Sequence, residues 1–180
     1  MKRRTLLCGV VPAVVAAASV GCSVNAPRYR LFNEQESDIL GAFADQIIPK
    51  DESASASDAN VLRYIDRQLV RAYVQHRQTY RKGLACLDES ARKLHGQGFA
   101  DLSARKQESF LLQMEQGELP EAIWGDLSPS TFFRLVRDHV MQGYYGDPRH
   151  GGNDGLASWR MLSLPYPPIR GREDYRFPKA

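Results

Sequence analysis

The sequence predicts an all-α domain, and three observations carry that expectation. Apolar residues recur at helical spacing in five separate stretches. Helix-start and helix-stop residues bracket most of those stretches. No stretch alternates apolar and polar residues between turn dipeptides, as a half-buried strand would.

The elements follow in order. Pro27 to Phe32 reads as an extended entry. Asn33 stands at an N-cap position with Glu36 three residues later, the spacing of a capping box. Ile39, Leu40, Phe43, Ile47 and Ile48 then share one helical face, and Pro49 stops the helix. Residues 51–59 are rich in Ser, Ala and Asp and read as a solvated connector. Val61, Leu62, Ile65, Leu69 and Tyr73 repeat at helical spacing, and Tyr80, Leu84, Leu87, Ala91 and Leu94 do so again. No proline interrupts residues 59–95, so this stretch is either one long bent helix or an antiparallel pair. The second set forms a narrow seam suited to a neighbouring helix, closed by Gly96 and Gly98. Cys86 falls roughly opposite Leu84 and Leu87 and reads as a small packing residue.

Ser103 is placed to cap a helix running through Glu115, with Phe110, Leu111 and Met114 inward and Gly117 and Pro120 ending it. Ser128-Pro129 is a strong helix start, a capping hydroxyl followed by proline at the first helical position. Phe132, Phe133, Val136 and Val140 supply its buried face, and Gly143 is expected to terminate it. The result is about five helices in one small domain. Beyond Trp159 the chain turns Pro- and Arg-rich (Pro165, Pro167, Pro168, Arg170, Arg172, Arg176) and reads as an extended tail.

Charge narrows the function classes. The formal charge of +3 comes entirely from Lys2, Arg3 and Arg4, because the other 21 basic residues face 21 acidic ones. A near-neutral domain has no electrostatic footprint for nucleic acid. Those three cations open a segment with the parts of an export signal: an apolar run from Leu6 to Val20, then a small-residue zone from Ala16 to Gly21. As a helix the apolar run spans only about 22 Å, short of the roughly 30 Å hydrocarbon core, so a signal is favoured over a membrane anchor. Arg3-Arg4 followed by Thr5-Leu6-Leu7 resembles a twin-arginine signal, with general secretion as the other route. The division is therefore an export signal over residues 1–22 and a single domain over 23–180.

Ser19-Val20-Gly21-Cys22 resembles a lipobox, in which the cysteine is acylated and becomes the new N-terminus. Cys8 leaves with the signal. Cys22 is then either lipidated, leaving Cys86 as a lone thiol, or paired with Cys86 in an oxidising compartment. The lipidated form is the reading preferred. It places the chain in the periplasm, held at the inner membrane by a lipid anchor or by its complex.

The stretch Gly143-Tyr144-Tyr145-Gly146-Asp147-Pro148-Arg149-His150-Gly151-Gly152-Asn153, with Ser158-Trp159 behind it, has a composition unlike the rest. Five glycines fall within thirteen residues, stiffened by aromatics and Pro148, and such a run specifies a backbone shape. Gly146 and Gly151 have the gap of a P-loop, but no Lys-Ser/Thr follows and a helix precedes, so the phosphate reading fails. No G-x-G-x-x-G, G-x-S-x-G, C-x-x-C or H-E-x-x-H occurs. His139, Asp147 and His150 are conceivable metal ligands, and Asp147, Asn153 and Asp154 offer oxygens for calcium without EF-hand spacing. Neither set has the spacing of a dedicated site, so no catalytic, cofactor or metal residue is assigned. Tyr144, Tyr145 and Trp159 read as packing and interface residues.

The order Phe43-Ala44-Asp45-Gln46-Ile47-Ile48-Pro49, Tyr64-Ile65-Asp66-Arg67-Gln68-Leu69, Tyr80-Arg81-Lys82-Gly83-Leu84, and then Gly143 to Asn153 with Ser158-Trp159, resembles the small subunit (subunit 3) of membrane-bound gluconate 2-dehydrogenase. The resemblance runs from about Phe32 to Pro165. It departs at Leu162-Ser163-Leu164-Pro165-Tyr166, where the family usually has G-F-P-G, and in the serine-rich connector after Pro49. The resemblance implies a non-catalytic partner without a cofactor of its own. It implies an FAD-dependent large subunit of the glucose–methanol–choline type, and often a multihaem cytochrome c as a third subunit. It also implies that Arg3 and Arg4 direct both proteins to the twin-arginine export machinery, the flavoprotein already folded. On this expectation Tyr144, Tyr145, Gly146, Asp147, Pro148, Gly151, Gly152, Asn153 and Trp159 brace the helices and form part of the docking face. The competing expectation is a stand-alone periplasmic lipoprotein or ligand- or metal-binding module, with the loop as its site.

Overall fold

The computed structural model describes residues 28–165. The expected signal with Arg3, Arg4 and Cys22, and the expected tail after Pro165, lie outside the described residues. Five long helices form: α1 (Glu34–Ile47), α2 (Val61–Leu69), α3 (Arg77–His95), α4 (Ala104–Gln116) and α6 (Pro129–Tyr145). Two short ones, α5 (Glu121–Trp124) and α7 (Ala157–Met161), complete the set, and no strand occurs among the described residues. The all-α expectation holds. None of these helices is long and apolar enough to cross a membrane.

The start signals act as their chemistry requires. The Asn33 side chain accepts from the Glu36 amide at 2.8 Å, and the Glu36 carboxylate accepts from the Asn33 amide at 3.0 Å, so two otherwise orphaned donors are satisfied reciprocally. Ser128 caps α6 by accepting from the Thr131 amide, with Pro129 at the first helical position. Ser103 occupies the N-cap of α4, but its side chain makes no capping bond.

Helices α1, α2, α3, α4 and α6 enclose the core. Phe43 meets Phe133 at 5.6 Å between ring centroids, Phe99 meets Phe110 at 5.8 Å, and Tyr80 and Trp124 flank Phe132 at 5.8 and 6.1 Å. Burying a ring such as Phe132 stabilises the fold by about 2–3 kcal/mol. Polar atoms inside are matched: the Trp124 indole donates to Ser90 at 3.1 Å, and Cys86 Sγ donates to the Ile123 carbonyl. Burial pushes the Cys86 thiol upward, as fits a packing residue.

Four expectations are corrected. Residues 59–95 are neither one helix nor a plain pair. The chain breaks at Val70–Tyr73 and passes through a 3₁₀ turn at Val74–His76, where Arg77 Nε donates to the Leu69 carbonyl at 2.6 Å. Tyr73 thus lies outside α2. Leu94 leaves the expected seam and is 46% exposed, because at that end of α3 it is His95 that faces Phe110 of α4. The connector is not simply solvated: Ala56 and Ala59 are fully buried and Ser55 nearly so. Finally, Gly143 does not terminate α6. The helix runs two residues further and is capped by Gly146.

Gly143 has a different use. A Cβ there would stand 2.9 Å from Tyr64 Cδ1 and 3.0 Å from Val61 Cγ1, so the missing side chain lets α2 lie close against α6. That contact fixes where the C-terminal end of α6 meets the connector and α2. The glycine-rich loop is built on that end.

Candidate functional site

A helix ends with carbonyls that have no intrahelical donor. At the end of α6 and its cap, three consecutive ones are satisfied by side chains from the loop and α7. Tyr144 O accepts from the Ser158 hydroxyl at 2.6 Å, Tyr145 O from the Trp159 indole N–H at 3.0 Å, and Gly146 O from the Asn153 amide at 3.0 Å. Asn153 is the centre of this arrangement. It is fully buried, adopts the left-handed conformation that asparagine tolerates, and also accepts from the Ser158 amide at 3.0 Å. One side chain therefore ties the end of α6 to the start of α7.

Between these points the backbone makes a 3₁₀ turn at Pro148–His150. Asp147 caps it by accepting from the Arg149 amide at 3.0 Å, with Pro148 at the first position. The Arg149 side chain bonded to it holds the Asp147 carboxyl below the usual range. Gly151 lies over the Arg67 side chain, and Gly152 lies against the Gly143 carbonyl.

The loop also grips the segments around it. Tyr144 donates to the Ala54 carbonyl at 2.7 Å, and the Asp154 amide donates to the Ala59 carbonyl at 3.0 Å. Asn60 donates from its side chain to Asp154 at 2.6 Å. One turn earlier in α6, Gln142 Oε1 receives the hydroxyls of both Tyr64 and Tyr73 at 3.1 Å. Burial, reinforced by Tyr73, pushes Tyr64 up to about 12. Among the described residues no buried side-chain nitrogen or oxygen lacks a partner.

The candidate residues thus divide. Tyr144, Gly151, Gly152 and Asn153 are buried, Gly146, Asp147, Pro148 and Trp159 are partly covered, and Tyr145 is exposed. The weighed ligand sets do not assemble. His139 is buried between the rings of Tyr73 and Tyr80, with Nδ1 at 2.9 Å from the Tyr80 hydroxyl, while Asp147 is engaged with Arg149. Asn153 and Asp154 are hydrogen-bonded within the loop and to Asn60. No group of three His, Cys, Asp or Glu placed to hold a metal ion occurs among the described residues.

Several members were not singled out from sequence. Ser158 was noted only as part of a motif, and Asn60 and Gln142 sit in ordinary surroundings. Asp66 carried a usable signal, since an acid four residues after Leu62 and three before Leu69 falls on an apolar face. Its buried carboxylate accepts from the Arg30 amide at 3.0 Å and the Leu31 amide at 2.8 Å, pinning the entry segment to α2.

A family model described as gluconate 2-dehydrogenase subunit 3 matches residues 34–165, from the first residue of α1 to the last described residue. The chain belongs to that family. A search of curated proteins and one of solved structures each returned no match. The family match spans the helical core and the whole loop, so the loop is an integral part of the gluconate 2-dehydrogenase subunit 3 domain. Membership associates the chain with the other subunits of such a dehydrogenase.

Proposed function

We propose that this chain is the non-catalytic small subunit of a periplasmic FAD-dependent dehydrogenase of the gluconate 2-dehydrogenase kind. It assists export, maturation and assembly of the flavoprotein subunit. The family match over residues 34–165 is the observation that carries the proposal. The loop chemistry supports it: side-chain donors that a ligand site would aim outward are turned onto the carbonyls at the end of α6. The leader supports co-export, because Arg3-Arg4 would direct a folded, FAD-loaded partner through the twin-arginine route together with this chain. On this reading the flavin belongs to the large subunit, and a multihaem cytochrome c would accept its electrons.

The test is co-expression of the full chain with the flavoprotein subunit of the same complex, followed by assay of periplasmic dehydrogenase activity. Replacing both Arg3→Lys and Arg4→Lys is expected to strand the flavoprotein in the cytoplasm. Equal periplasmic activity with the substituted leader would rule out co-export. Equal activity with the chain deleted would remove the assembly role as well.

A further inference from the structure

We infer that the flavoprotein subunit presents an acidic surface to an arginine face of this chain, formed by Arg63, Arg67 and Arg71 along α2 with Arg149 of the loop beside them. This rests on the reading of the chain as a subunit and names the chemistry of the contact. Arg63 and Arg67 lie one turn apart on the same side of α2, and Arg71 follows one turn later, its amide on the Gln68 carbonyl at 3.0 Å. The loop sits against the same side. Arg67 Nη1 donates to the Arg149 carbonyl at 3.5 Å, and a Cβ on Gly151 would stand 2.8 Å from Arg67 Cδ and 3.4 Å from the Arg63 carbonyl oxygen. Arg63, Arg71 and Arg149 are exposed, and Arg67 is half-buried.

Cations gathered on one helix face repel one another unless a counter-charge meets them. The chain does not supply it. Among the described residues Arg63, Arg67 and Arg71 form no ion pair. Asp66, between them in sequence, is buried with its carboxylate turned onto the Arg30 and Leu31 amides, and Asp147 is bonded to Arg149. The rest of the chain holds only two acids, Glu173 and Asp174, outnumbered by Arg170, Arg172, Arg176 and Lys179 around them. The counter-charge therefore comes from another molecule. Two features favour protein carboxylates over a bilayer. The face carries arginine only, whereas Lys50, Lys82, Lys93 and Lys106, the lysines of the described domain, stand on other elements. Arginine's planar fork pairs carboxylates in bidentate fashion, and protein interfaces are enriched in Arg and depleted in Lys. The apolar residues Val61, Leu62, Ile65 and Leu69 of α2 are buried in the core, so this helix has no apolar face to lay into a membrane.

The experiment uses the full chain, affinity-tagged and co-expressed with the flavoprotein, and reads FAD recovered per mole of tagged chain. The triple variant Arg63→Gln, Arg67→Gln and Arg71→Gln is expected to lower recovered FAD at least tenfold at physiological salt. Raising the salt is expected to lower recovery by the unsubstituted chain as well, because it screens the same charges. Arg63→Gln with Arg71→Gln leaves Arg67 in place under the loop and serves as the milder second variant, with a loss of about threefold expected from the two missing pairs. Helical circular dichroism and melting temperature identify any variant that has failed to fold. Lys93→Gln, Arg105→Gln and Lys106→Gln together remove the same charge from exposed positions on α3 and α4 and are expected to leave recovery unchanged. If the unsubstituted chain recovers no flavoprotein, the subunit reading itself fails and this assignment with it. If it recovers flavoprotein and the arginine variants do so equally, or the α3 and α4 variant loses as much, that reading stands and this assignment is overturned. The assignment also falls if the arginine variants keep the flavoprotein but lose binding to phosphatidylglycerol vesicles, or lose only self-association of the chain.

Discussion

Gly152 lies directly against Gly143: a Cβ on Gly152 would stand 2.1 Å from the Gly143 carbonyl oxygen, a backbone atom inside α6. The loop can return to the helix only because both residues lack side chains at their own contacts, Gly143 toward α2 and Gly152 toward α6.

This gives the first prediction. Gly152→Ala meets a backbone atom that has no rotamer to change, so the loop must lift and its bonds to Tyr144, Tyr145 and Gly146 must loosen. A loss of about 3 kcal/mol is expected, the upper part of the range for overpacking. Gly96→Ala is the comparison, because Gly96 has a left-handed φ of 73° with no atom within 4 Å of the added methyl. Only backbone strain operates there, and about 1 kcal/mol is expected. Urea unfolding of the two variants checks the ordering; equal losses would show that the Gly143–Gly152 contact is unimportant.

Asn153 supplies the second. Asn153→Ala removes the donor to the Gly146 carbonyl and the acceptor for the Ser158 amide, both at 3.0 Å, at a fully buried position. Leaving one buried and one partly buried backbone group unpaired is expected to cost about 3 kcal/mol. Trp159→Phe keeps an aromatic ring and removes a single indole donor, so about 1 kcal/mol is expected. Amide exchange should locate the effect: Ser158 exchanges faster in Asn153→Ala, whereas the Glu36 amide in the capping box of α1 does not change.

The features legible in the sequence were those encoded locally. The Asn33–Glu36 box, the Ser128-Pro129 start and the Phe132, Phe133, Val136, Val140 face each follow from residues within a few positions of one another. What escaped depends on a partner distant in sequence. A glycine after Val140 has the look of a helix stop, and only the arrival of Val61 and Tyr64 makes it an interior contact. The connector looks solvated until Tyr144, ninety positions later, bonds to Ala54. Five glycines among aromatics and Pro148 point to a specified backbone shape in the loop. That its polar groups cap three successive carbonyls depends on a backbone path that composition does not specify.

The third prediction concerns Asp66. Its carboxylate holds the amides of Arg30 and Leu31. Asp66→Asn can keep an oxygen at the Oδ1 position, which both amides share, but it puts an NH₂ group at the Oδ2 position facing the Arg30 amide and removes the charge, so two donors oppose each other at a cost of about 2 kcal/mol. The entry segment should detach before the helices unfold. Limited trypsin digestion under native conditions is expected to cleave after Arg30 at least tenfold faster, while cleavage after Arg77 or Arg137 stays at the rate of the unsubstituted domain. A uniform acceleration at all three sites would mean that Asp66 supports the domain as a whole.

The fourth concerns pH. His139 stacks on Tyr73 at 4.6 Å, lies parallel to and displaced from Tyr80 at 5.8 Å, and has His76 edge-on at 5.8 Å. Burial first, and the neighbouring His76 second, bring its pKa from 6.5 down to about 4 against the opposing effect of Asp138. Tyr80 is kept protonated by its own burial, so its hydroxyl donates to a neutral ring that accepts at Nδ1. An unfolded chain takes up this proton near pH 6.5, whereas the folded chain resists until about 4. Stability from His139 is therefore complete above pH 6.5, declines as the pH falls through that interval, and levels off below pH 4. Partial solvation of the stack reduces the full linkage value, and a loss of about 2 kcal/mol from this group between pH 7 and pH 4 is expected. His139→Gln can still accept from Tyr80 but does not titrate. Its stability at pH 7 should be lower, and its stability curve between pH 7 and pH 4 should be flatter by that amount. Parallel curves for the two proteins would place the acid sensitivity elsewhere.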